Sequence, residues 1–225
     1  APIAGVFFAL EVILGEFTSG AFGVVVLASV LASVLVRAFG TVLPLEEPAL
    51  NLLNYNLGSL GEMPLYLLLG LLLGPVAALF IRSVYVQHDR WQKHVRLPRP
   101  LQTALAGVIV GLVGAFLPEI LGPGREAMNH VLSQPGEFTV VLLLALGFGK
   151  LILTGTSIAG GFVGGVFAPT LFVGLMLGSV FGRLLERLNI PAVSDPQAYA
   201  IVGMAAMMAG VVRAPITAIM LVFEL

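Results

Sequence analysis

The chain has 225 residues, 58% of them apolar and 10% charged, and its mean hydropathy is +1.04. Soluble domains carry roughly a quarter charged residues, so this composition belongs in lipid. A formal net charge of −1 leaves no overall basic field to recruit nucleic acid, and the absence of cysteine excludes a disulfide framework and a thiolate metal site. The apolar stretches are continuous rather than alternating. They fit spanning helices of about 20 residues and not the strands of a β-barrel.

In chain order, a short helix is expected over residues 1–12 and a spanning helix over about 19–39. A polar connection, 41–62, follows with Pro44, Pro48 and three Asn. A helix then starts near Met63 and runs past Ile81 into a charged connection, 82–99. A fourth helix is expected over about 100–117, and Gly122-Pro123-Gly124 breaks the chain. Gly124-Arg125-Glu126-Ala127 reads as a surface connection. The next helix begins near Glu137 and frays at Gly155, and a glycine-rich break covers 160–165. Further helices run from Phe167 to about Leu188 and from Gln197 to Val211, with a turn over 191–196 between them. The last helix starts at Pro215, where a proline suits the first turn. Both ends fall inside apolar runs, so the chain reads as part of a larger transmembrane domain.

Lys and Arg placement sets the expected orientation. Arg82, Arg90, Lys93, Arg96 and Arg99 put connection 82–99 in the cytoplasm. Connection 41–62 has no Lys or Arg, carries Glu46, Glu47 and Glu62, and is expected outside. An internal repeat is also visible. Ala1-Pro2-Ile3 through Glu11 matches Ala214-Pro215-Ile216 through Glu224 in register, with apolar residues between. Such weak symmetry is the mark of inverted-repeat transporters.

The segment richest in chemistry is Gly160-Gly161-Phe162-Val163-Gly164-Gly165-Val166-Phe167-Ala168-Pro169. Broken backbone in lipid is tolerated only where protein or a cavity surrounds it. The helix that restarts after the break opens its first N–H groups, at the positive end of its dipole. That arrangement can hold an anion without a cationic side chain. A full ammonium would bind a small anion too tightly for passage, because conduction needs weak, multi-site binding. The competing reading is that Gly164-Gly165 permits close helix packing. On physical grounds alone the two stand level.

Gly165-Val166-Phe167-Ala168-Pro169 resembles the GxFxP element of the CLC family of chloride channels and proton/chloride antiporters. Gly174, Gly178 and Gly182 fit that family's glycine-spaced helix, and Arg213-Ala214-Pro215 resembles its Arg-Ala-Pro helix start. Ala1-Pro2-Ile3-Ala4-Gly5 looks like the repeat-equivalent of that start. The resemblance implies an all-α, multi-helix membrane fold with inverted repeats and tilted or broken helices, spanning 1–225 as a partial domain. It implies chloride as the transported ligand, held by the backbone amides of Val166 and Phe167, within the motif Gly164, Gly165, Ala168 and Pro169. It also implies a membrane-embedded homodimer meeting through helices 1–11 and 215–225. No other cofactor, no metal and no enzymatic activity are expected. The family's GSGIP and GREGP elements do not occur here, and its late Tyr is not in the chain.

Of the charged residues, Glu11 is a candidate proton or gating acid, since an acid in a membrane segment is functional by default. The alternative is a helix-capping residue. Glu224 is its repeat mate. The family's internal proton glutamate aligns with Val12, so passive, voltage-gated chloride conduction is expected, with proton-coupled exchange as the alternative. Lys150 sits on an apolar helix. It either attracts anions into a water-filled mouth or snorkels to an interface. Arg213 reads as anchoring a helix end, and His88, His94 and His130 as solvated. No nucleophile–base pair supports an intramembrane enzyme, and a purely structural scaffold would not need the glycine break.

Overall fold

The computed structural model describes residues 2–40, 60–134, 136–188 and 195–224, and the described residues hold helices and no strands. Helix α1 (Pro2–Phe8) continues as a π-helical segment, Ala9–Leu14, stopped by Gly15 in the left-handed region. Helix α2 is Ser19–Gly40. A 3-10 turn, Leu60–Glu62, leads into α3 (Met63–His94), a helix of 32 residues. After α4 (Arg99–Phe116) and a 3-10 turn, Pro118–Ile120, comes α5 (Arg125–Ser133). The rest is α6 (Val140–Ala159), α7 (Phe167–Arg187), α8 (Pro196–Val212) and α9 (Pro215–Glu224).

Among the described residues five helices are long and apolar enough to cross a bilayer: Gly20–Phe39 and helices α3, α4, α6 and α7. The three others, Pro2–Leu14, α8 and α9, are apolar but shorter. Short and broken helices of this kind survive in lipid only when packed against protein.

Helix α7 is the centre of that packing. Residues 170–180 are all buried, whereas none of the membrane window of α2 is. Helices α3, α6 and α8 surround α7, while α1 pairs with α9 and α2. Small residues set how close α7 and α8 come. A Cβ at Gly174 would overlap the Gly203 carbonyl, and one at Gly178 would overlap the Tyr199 carbonyl. Without a hydrophobic drive between helices in lipid, such backbone approach is what gains van der Waals contact.

Three expectations change. The charged stretch 82–99 is not a connection, because α3 runs on to His94 and only 95–98 link it to α4. Charge marks where the helix leaves the hydrocarbon. The helix itself persists until Pro98 approaches, since nothing in 82–94 breaks it. Helix α6 does not fray at Gly155 but reaches Ala159. Gly155 is there for packing: its missing Cβ leaves room for the Gln87 side chain of α3, whose amide accepts from Thr156 Oγ1 at 2.9 Å. The segment after Gly124 is helical, with Ala127, Met128, Val131 and Leu132 turned inward and Arg125 and Glu126 outward. Glu62 belongs to the packed interior, 1% exposed, where Tyr66 Oη donates to it at 3.0 Å. Of the other polar residues, His130 pairs with Glu137 at 2.8 Å and packs edge-on to Phe138. Residues 41–59 of connection 41–62 lie outside the described residues, as does most of the turn at 191–196.

The α7–α8 contact yields a stability prediction. Gly178→Ala should destabilise the protein by about 1–3 kcal/mol, the usual cost of overpacking. Gly164→Ala, where an added Cβ meets nothing within 4 Å, should leave stability unchanged. Thermal unfolding in detergent checks both, and equal melting temperatures for the two variants would contradict the packing account.

Candidate anion site at a broken helix

The chain leaves α6 through a turn whose N–H groups are all answered. Gly160 N–H donates to Thr156 O at 2.9 Å, Gly161 N–H to Ile158 O at 3.1 Å, and Phe162 N–H to Ser157 O at 3.0 Å. Gly161 has φ of 92°, a left-handed conformation that favours glycine. Thr103 Oγ1 of α4 donates to the Gly160 carbonyl at 2.8 Å, and Ala106 packs so close that a Cβ at Gly160 would overlap it. The start of the break is therefore fixed against α4.

The second half of the break differs. From Val163 to Phe167 no backbone N–H donates to another group among the described residues. Helix α7 then begins, with Thr170 N–H and Thr170 Oγ1 both donating to Val166 O, at 3.0 and 2.6 Å. This is a helix N-terminus with open donors at the dipole's positive end, equivalent to roughly half an elementary charge. Added Cβ atoms at Gly164 and Gly165 would meet almost nothing. Among the described residues these two glycines border open space and not a neighbouring helix.

A cavity of about 530 Å³ lies beside the break. Gly164, Gly165 and Pro169 form one wall, and Ser157, Thr154 and Lys150 of α6 another. Val166 and Phe167 border separate, smaller cavities, so the motif's residues divide among three spaces. Phe167 also meets Phe8 of α1 edge-on, with ring centroids 6.0 Å apart.

Lys150 neither snorkels nor hangs free. It is 4% exposed, and its Nζ donates to the carbonyls of Ile120 and Gly122 at 2.7 and 2.5 Å. The ring of Phe172 lies 5.0 Å from it. These carbonyls answer a cation that burial would otherwise leave at high cost. The ammonium ties the loop after α4 to α6 while lining the same cavity as Gly164 and Gly165.

Glu11 reaches the start of α9. Its carboxylate accepts from the N–H groups of Ile216 and Thr217 at 3.2 and 2.7 Å, and from Thr217 Oγ1 at 2.8 Å. Glu224 does the same in reverse, accepting from Ile3 and Ala4 N–H at 2.9 and 2.6 Å. Each helix of the repeat pair therefore caps the other with its closing glutamate, and α1 and α9 run antiparallel. Glu11 lies on the π-helical segment.

Sequence reasoning overlooked Thr103, which braces the break, and the left-handed backbone of Arg213 at the end of α8. Thr103 carries no local signal. Arg213 does carry one, because it stands between a helix and the Ala-Pro start of the next.

Apolar helices of spanning length, a broken helix with an open N-terminus and a cross-capped inverted pair define the class: a multi-helix membrane protein. The family model for voltage-gated chloride channels matches residues 1–225, and this chain belongs to that family. A chloride channel protein of Ralstonia nicotianae described as ClcB-like is 34% identical over all of this chain and 51% of its own length. An H⁺/Cl⁻ exchange transporter, ClcA, of Vibrio vulnificus is 32% identical over all of this chain and 48% of its own. The crystal structure of a slow cyanobacterial Cl⁻/H⁺ antiporter superposes with a TM-score of 0.83 at 26% identity, covering the whole chain and 52% of that protein. The chain thus spans about half the length of these relatives.

The reciprocal caps yield a prediction. A hydrogen bond to a charged group contributes about 1.5–3 kcal/mol, and Glu11→Ala removes three acceptor contacts. Glu11→Ala should lower the melting temperature clearly, Glu11→Gln less, and Glu224→Ala about as much as Glu11→Ala. Differential scanning fluorimetry in detergent checks the order. No change with Glu11→Ala would show that the cap contributes nothing.

Proposed function

We propose that this chain carries chloride across a membrane through a CLC-type pore, with the anion held by the backbone amides of Val166 and Phe167. The observation that carries the reading is the set of unanswered N–H groups at the start of α7, beside glycines that face open space. Membership of the voltage-gated chloride channel family supports the choice of anion. Dipoles and neutral donors stabilise a halide without trapping it, as conduction requires. Gly164, Gly165, Ala168 and Pro169 shape the turn that presents those donors. Lys150 adds positive potential to the neighbouring cavity.

For the mode of transport we favour passive, voltage-gated conduction. Val12 has no titratable group where the family's proton glutamate aligns. The carboxylate of Glu11, one residue away, is engaged with the N-terminus of α9. Proton-coupled exchange is the second reading, with Glu11 as its candidate acid. It is favoured by the names of the Vibrio relative and the cyanobacterial structural neighbour. The cytoplasmic side is the basic end of α3, following the positive-inside rule.

The test uses the full-length protein in a planar bilayer under a pH gradient with chloride fixed. A chloride current with a reversal potential that ignores the proton gradient supports conduction. A shift with pH supports exchange, and its abolition by Glu11→Gln would assign the proton to Glu11. No chloride current of either kind would overturn the function itself.

We also infer a homodimer through helices 1–11 and 215–225. Ile3, Ile216, Ile219 and Phe223 are 39–83% exposed on the α1–α9 pair. Cysteine placed at Ile219 should crosslink two chains within the membrane, and failure at this position and at Phe223 would remove the interface.

A further inference from the structure

Helix α8 ends at Val212 and α9 begins at Pro215, so two residues make the turn, and one of them is Arg213. Arg213 has φ of 59° and ψ of 36°, and it is the one non-glycine residue with positive φ among the described residues. Glycine takes this conformation freely, whereas a residue with a Cβ takes it under strain. Strain of this kind persists where the side chain has a use. The side chain of Arg213 is exposed and forms no ion pair among the described residues.

That side chain lines a cavity of about 350 Å³ together with Val84 and Tyr85 of α3, Val211 of α8, and Val166. Val166 is the residue whose open N–H starts α7. One wall of this cavity therefore carries a cation and another the anion-site residue, with apolar side chains between them. Tyr85 follows Arg82 on α3, so the cavity lies toward the basic, inner end of that helix. Low-dielectric walls around one sign of charge focus its field on what enters.

We propose that Arg213 is the fixed cation at the inner mouth of the anion path, concentrating chloride or a similar small monovalent anion beside Val166. The inference rests on the chloride reading given above. It deepens that reading by naming a residue that acts on entry from one side. An ordinary alternative exists. A cation at a helix C-terminus also interacts favourably with the helix dipole. The two roles separate by sidedness and by salt. A dipole partner affects stability alone, whereas a cation at the mouth affects anion entry from the inner face and weakens as salt screens it.

The experiment places the full-length protein in planar bilayers with both faces accessible, and compares wild type with Arg213→Gly, Arg213→Gln and Arg213→Lys. At low chloride and about 0.01 M ionic strength, Arg213→Gly and Arg213→Gln should cut chloride entry from the inner face by about three- to tenfold. Entry from the outer face should be unchanged, and Arg213→Lys should retain most of the wild-type rate. Raising ionic strength to about 0.1 M with an impermeant salt shortens the screening length from roughly 30 to 10 Å, and the deficit should shrink. Arg213→Gly suits the left-handed backbone, so it should unfold no earlier than wild type. This guards against a loss that merely reports misfolding. Equal inner-face entry for wild type and Arg213→Gly would overturn the proposal and leave the chloride reading standing. So would a loss equal from both faces and indifferent to salt. A wild-type protein that passes no chloride would overturn both.

Discussion

In hydrocarbon every backbone donor and acceptor must find a partner inside the protein, and the way this chain handles that demand organises everything around α7. The break between α6 and α7 splits into two halves with opposite treatment. Up to Phe162 each donor has an acceptor on α6, and the Gly160 carbonyl has Thr103. From Val163 to Phe167 the donors have none among the described residues. Unanswered groups are tolerable only where a polar visitor or water can reach them, and the cavities beside Gly164, Gly165 and Val166 supply that access. The closed half holds the open half in place. Without the tie to α4, the open donors would have no fixed position from which to present a dipole to an anion.

The same demand explains the pairing of α1 and α9. Each is too short to cross a bilayer, and each would leave its first N–H groups unpaired within the membrane region. The two glutamates resolve this reciprocally, with Glu11 on α9 and Glu224 on α1. An acid in a membrane segment is commonly read as functional. Here both carboxylates have structural partners. The inverted repeat is thereby also an energetic unit, because removing either acid exposes donors on the opposite helix.

Much of this was legible in the residues. Continuous apolar runs located the spanning helices, and the register of Ala-Pro-Ile with its closing glutamate located the repeat pair. The glycine-rich string located the break to within a residue or two. What stayed hidden depends on contacts between distant segments. Helix α3 outruns its apolar part because charged side chains end the membrane crossing without ending the helix. Gly155 reads as a weak point in sequence, yet in space it accommodates Gln87. Lys150 reads equally as an anion attractor or a snorkelling side chain. Only the loop carbonyls of Ile120 and Gly122 decide its position. Helix α5 was recoverable in principle, since Ala127, Met128, Val131 and Leu132 repeat at helical spacing, but Gly122-Pro123-Gly124 drew attention to the turn instead.

The positive groups near the break form a graded series. Arg213 is exposed and unpaired among the described residues, so its field reaches into the cavity it lines. Lys150 is buried and engaged by two carbonyls, which offset part of its charge while leaving one of its three donors uncommitted. The donors at Val166 and Phe167 are neutral amides whose dipoles amount to a fraction of a charge. An anion moving inward from solvent would meet a full charge where hydration screens it most, and only partial charges where screening is least. Attraction in low dielectric grows steeply, so a full ammonium or guanidinium at the break itself would trap the ion. On the proposed chloride reading, neutral amides at the break, a buried and carbonyl-engaged Lys150 beside it and an exposed Arg213 at the mouth would keep binding at each step weak enough to leave, which is the physical condition for passage through a fixed site.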